Sequence, residues 1–166
     1  MDLKEKIIGI LVNAVWLLLG AFLNIFYPNM FSVNSLLPNF LLVISIFMSF
    51  SNGFLGIAPL VVIVGLIDSI WRGINPGVNV LSLIGSLGLV HLFFHRLWSG
   101  KWVIVTSIFL ATLLYFFISF SLIHLNKLGV FTINDALDFG LTQGIYNSIW
   151  GIIILLFFRR YLKTDR

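Results

Sequence analysis

The 166-residue chain contains no cysteine, which excludes a disulfide framework, a thiol nucleophile and a thiolate metal site. Charge is nearly as scarce: 10% of residues are Asp, Glu, Lys or Arg against 60% hydrophobic, and the mean hydropathy is +1.08. So little polar surface cannot coat a water-soluble globule, and the solvent of this chain must be lipid. Long polar stretches are also missing, which leaves room for one membrane domain over 1–166 and no sizeable soluble appendage. The formal net charge of +4 does not indicate nucleic-acid binding, because the basic residues sit beside hydrophobic ends rather than along a polar face.

What is present is a succession of apolar runs that predicts an all-α integral membrane protein, a compact bundle of six transmembrane helices. The run 7–26 follows a short tip carrying Lys4 and Lys6. It is long enough to span, and Tyr27 and Pro28 follow it instead of an Ala-x-Ala-like cleavage site, which favours a membrane helix over a secretory signal. Asn13 and Asn24 within it are expected to hydrogen-bond between helices. The runs 36–50 and 54–71 are separated only by Ser51, Asn52 and Gly53, so they form a helical hairpin. The first of these covers only about 23 Å at about 1.5 Å per residue, which predicts a thinned, buried or partly re-entrant helix. Pro59 is expected to kink the next helix. The runs 78–98, 102–124 and 136–158 complete the six, with Thr132 and Asn134 as caps of the last and Asp135 and Asp138 complementing its dipole. If 36–50 dips in and out of one leaflet, the count falls to five.

Basic residues set an expected orientation. With six spans, Lys4, Lys6, Arg96, Lys101, Arg159, Arg160, Lys163 and Arg166 share one side, whereas Arg72 and Lys127 share the other. The first side, with both termini, is expected to be cytoplasmic.

The stretch 65–81 is the one place where a carboxylate and a guanidinium interrupt a nearly continuous apolar run. Asp68 and Arg72 are four apart and share a helix face, and Gly65, Gly73 and Gly77 with Pro76 mark a helix end and a sharp re-entry. Two roles are open for Asp68: a structural tie to Arg72 at the helix end, or the organiser of a partner or ligand surface. His91 and His95 have the i, i+4 spacing of paired metal ligands, but no carboxylate accompanies them; marking the cytoplasmic end of a helix is the simpler role. Gly140, Gly144 and Ser148, with Gly151 nearby, form a small-residue seam suited to close helix packing. Gln143 and Asn147 beside it are expected to hydrogen-bond across the seam. Trp71, Trp98 and Trp102 fall where interfacial aromatic belts belong. No second carboxylate, no nucleophile with its base and no phosphate-binding loop is visible, so neither an enzyme nor a cofactor is expected.

Pro38-Asn39-Phe40-Leu41-Leu42, then Gly53 and Gly56, then Gly65-Leu66-Ile67-Asp68 with Gly73, Gly77 and Leu81, and finally Tyr146-Asn147 before a basic tail, together resemble the MreD family of rod shape-determining proteins. The resemblance covers most of the chain from Leu36 onward. Asn39 departs from the family's usual Asp after the proline, and Pro59 interrupts the Gly-rich helix. The resemblance implies a non-enzymatic inner-membrane component of the bacterial cell-elongation machinery, concerned with rod shape and peptidoglycan synthesis. Implied partners are the single-span protein MreC and, through it, the MreB filament, the glycosyltransferase RodA and its transpeptidase. The implied fold is similar to the substrate-binding components of energy-coupling factor transporters. The alternative is a vitamin-binding subunit of such a transporter, with Asp68, Asn75, Asn79 and Asn134 lining an outward pocket. Against it, Gly9, Ala14, Gly20 and Ala21 do not supply the small-residue docking face, every fourth residue, of those subunits.

Overall fold

Six helices follow one another, α1 Leu3–Phe26, α2 Phe40–Asn52, α3 Phe54–Arg72, α4 Pro76–Leu97, α5 Lys101–Leu125 and α6 Ile133–Phe158. They belong to a computed structural model that describes residues 3–26, 37–97, 101–125 and 132–158. Among the described residues there is no strand. Residues 27–36, Trp98, Lys127 and the basic tail 159–166 lie outside that description, as do the side chains of Lys6, His95, Arg96 and Lys101.

Capping chemistry places the helix starts, and it moves three of the expected ones. The α2 helix begins at Phe40 because Asn39 takes the N-cap and its side chain accepts from the Leu42 N–H; residues 37–39 are not helical. The α4 helix begins at Pro76 rather than 78. Asn75 Oδ1 accepts from the Val78 N–H at 3.2 Å, and proline suits the first helical position because its missing N–H needs no partner there. The α6 helix begins at Ile133 rather than 136, since Thr132 and Asp135 cap each other reciprocally: the Thr132 N–H donates to Asp135 Oδ2 at 2.8 Å and the Asp135 N–H to Thr132 Oγ1 at 3.2 Å. Asn134 therefore lies in the first turn, not at the cap. Gly73, at φ 66°, ends α3 in the left-handed conformation that glycine tolerates, and Gly53, at φ 79°, makes the tight turn from α2 to α3.

The short helix is the centre of the bundle. At 13 residues, α2 is only about 20 Å long, and every residue from Phe40 to Ser49 is buried. It touches all five other helices, which follow around it in the order α1, α3, α4, α5, α6; among the described residues the backbones of α1 and α6 do not adjoin. Of the placements expected for this run, the buried one is observed. The other five helices are long and apolar enough to cross a membrane, and they make the chain a multi-pass membrane protein. Their outward faces carry exposed apolar side chains such as Leu55, Ile70 and Trp102, as lipid-facing surfaces must.

Between helices in lipid, close packing replaces the gain from leaving water. At the core, Leu41, Leu42 and Ile46 of α2 meet Ile57, Val61, Leu87 and Ile108, all fully buried. Glycine sets the approach distances. A Cβ on Gly20 would lie 3.2 Å from both the Leu41 Cα and the Phe40 carbonyl oxygen, so α1 rests directly on the α2 backbone. On α6, a Cβ on Gly140 would lie 3.2 Å from Leu113, and one on Gly144 2.9 Å from the Phe109 ring. The small-residue seam thus packs inside the bundle, against α5.

Candidate functional site

The start of α2 is buried, and a helix start leaves its first N–H groups without intrahelical acceptors. Three asparagines supply them, one the N-cap itself and the others from α1 and α6. The Asn39 N–H donates to Asn147 Oδ1 of α6 at 2.9 Å, the Phe40 N–H to Asn24 Oδ1 of α1 at 2.9 Å, and the Leu42 N–H to Asn39 Oδ1 at 3.1 Å. Pro38, between Leu37 and Asn39, has no N–H to satisfy and favours an extended residue before it. Gln143 Nε2 donates to the Leu37 carbonyl, and Asn147 Nδ2 to Thr112 Oγ1 at 3.1 Å. The Pro38-Asn39 turn is thereby bonded to both α1 and α6, whose backbones do not approach each other among the described residues.

A second polar cluster lies where α3, α4 and α5 adjoin. Asp68 is fully buried and accepts Arg72 Nη2 at 2.5 Å, one helical turn away. Asn79 Nδ2 donates to Ser69 Oγ at 2.7 Å and lies 3.4 Å from Asp68 Oδ2, while Asn79 Oδ1 accepts the Tyr115 hydroxyl at 2.6 Å. Gly65 permits this convergence: a Cβ there would sit 3.2 Å from Leu83 and 3.3 Å from Val80 of α4. Asp68 Oδ1 has no hydrogen-bond partner among the described residues. Asp68 is therefore deeper than a helix-end position in sequence suggests, with Arg72 and Asn79 both beside its Oδ2.

The two clusters share a cavity of about 230 Å³. Arg72, Tyr115, Asn39, Thr112, Gln143 and Asn147 line it, and Leu37, Pro38 and Ile74 are among the apolar residues completing the wall. Of the residues singled out from sequence, Pro38, Asn39, Arg72 and Asn147 line it, and Asp68 and Gly65 stand behind Arg72. Gly73 shapes the turn, Gly77 sits in the first turn of α4 outside both clusters, and Gly140 and Gly144 serve packing on α5. Asn75 and Asn134 are exposed caps or first-turn residues and do not line it.

Thr112, Tyr115 and Ser69 were not legible as site residues. A signal existed for α5: Thr112, Tyr115 and Ser119 recur at three and four residues on an otherwise apolar helix, which puts them on one face. Elsewhere, His91 Nδ1 pairs with Ser49 Oγ at 2.8 Å, with Phe50 and Phe54 beside the ring. The described residues bring together no group of three or more His, Asp or Glu side chains that could hold a metal ion. Comparison with known protein families, curated proteins and solved structures returns no match for this chain.

Proposed function

We propose that the chain is a non-enzymatic, partner-binding subunit of the bacterial cell-elongation machinery, a member of the MreD family that binds an MreC-like single-span protein in the cytoplasmic membrane, with both termini cytoplasmic. Through that partner it connects to MreB, RodA and the transpeptidase. The observation that carries this reading is the meeting of the residues on which the resemblance rests. Asn39 and Asn147, 108 positions apart, are hydrogen-bonded at 2.9 Å, and they share a cavity with Arg72, which holds Asp68. A motif that builds one buried joint is a motif for holding a shape. Asn39 performs the capping task that an Asp performs at a helix start, without placing a second carboxylate near Asp68.

A scaffold is supported over an enzyme because these polar side chains bond mainly to one another, and the Ser49–His91 pair, packed beside Phe50 and Phe54, does not line the cavity they share. The vitamin-binding alternative draws less support: the cavity is smaller than the roughly 300–1,000 Å³ usual for such ligands, and Asn75 and Asn134 stand outside it. Depletion in a rod-shaped host tests the proposal: cells should become round while growth continues for several generations. Rods of normal width and length after depletion contradict it.

A further inference from the structure

We propose that the cavity beside the start of α2 is a binding site for one neutral amide group, such as a partner's peptide backbone or a small free amide presents. The inference rests on the partner-binding reading and names the chemistry of its contact. Charge decides against the common anionic headgroups: the polar part of the wall is carboxamides and hydroxyls, and the one cation among its described residues, Arg72, is already balanced by Asp68 at 2.5 Å. Size decides against a cofactor, since about 230 Å³ holds a group rather than a whole drug-sized molecule.

Two atoms define the complement. Gln143 is only 6% exposed, and its Nε2 donates to the Leu37 carbonyl and to Asn147 Oδ1. Its Oε1 accepts no hydrogen bond among the described residues, and Gln143 is one of the residues that line the cavity. An incoming N–H gives this oxygen a donor. Arg72, also on the wall, gives Nη2 to Asp68 and keeps further N–H donors on the fork for an incoming carbonyl. The same wall already grips peptide backbone, because Gln143 takes the Leu37 carbonyl and Asn147 the Asn39 N–H.

The absence of cysteine makes the test direct. With Phe116→Cys as the only thiol, on the cavity wall, the full chain in nanodiscs is labelled with a small water-soluble methanethiosulfonate reagent. Saturating N-acetyl-dialanine amide should slow labelling at least about fivefold, in line with occupancy of the site, whereas sodium phosphate and glycerol should not. Leu37→Trp, which fills the mouth without altering a polar side chain, should abolish the protection. In the wild-type chain, free of any folding defect from substitution, the dipeptide amide should raise the unfolding midpoint and phosphate should leave it unchanged. Protection by acetamide equal to that by the dipeptide keeps the site and assigns it to a free amide. Protection by neither, stronger protection by phosphate, or protection that survives Leu37→Trp overturns the inference. Recovery of a single-span partner without amide protection overturns this inference alone and leaves the proposed function standing.

Discussion

Asp68 holds a carboxylate at full burial in a helix of a membrane protein, and one bond to Arg72 at 2.5 Å is its main compensation. Removing one member of such a pair leaves the other charge poorly solvated, which is worse than removing both. Asp68→Asn should therefore destabilise the chain by about 3 kcal/mol, toward the low end for buried pairs because the Arg72 side chain retains 28% exposure. Asp68→Asn with Arg72→Gln should recover more than half of that loss. Unfolding in mixed micelles of all three variants checks it, and additive losses would mean that the two side chains act independently. At this scale the sequence was informative about pairs four apart and poor about distance in the chain. The i, i+4 tie could be read directly, whereas the bonds from Asn79 to Asp68 and from Tyr115 to Asn79 exist only because the fold brings α3, α4 and α5 together.

Among the elements, α2 governs the arrangement. Its run was legible as short, and burial was among the placements that shortness allowed. What no local signal fixed was the source of its N-terminal acceptors, since Asn24 and Asn147 come from helices before and after it. Helix ends shifted for a related reason: apolar periodicity marks where a helix is buried, while Asn75-Pro76 and Thr132-Asp135 mark where it begins. The contact of α1 with α2 rests on Gly20, whose missing Cβ would meet backbone that cannot yield, whereas Gly9 has nothing within 4 Å. Gly20→Leu should lower the unfolding midpoint in detergent by several degrees or prevent monodisperse recovery, and Gly9→Leu should leave both unchanged. Equal effects would show that α1 is not seated on α2 through that glycine.

For the whole molecule, composition alone identified the membrane and the helical class, because no other architecture buries so apolar a chain without strand periodicity. The order of helices around α2 was not legible: small-residue seams and polar faces say that a helix has a partner without saying which. The seam on α6 proved to face α5, and the polar face beside it reached the Pro38-Asn39 turn. The central claim is that this bundle exists to hold a partner. Mild detergent extraction of the tagged wild-type chain, followed by identification of what co-purifies, tests that claim most directly. The account predicts stoichiometric recovery of a single-span protein with a large external domain, reduced severalfold for Asp68→Ala at matched expression. Repeated recovery of the intact, monodisperse chain without any such partner would contradict it.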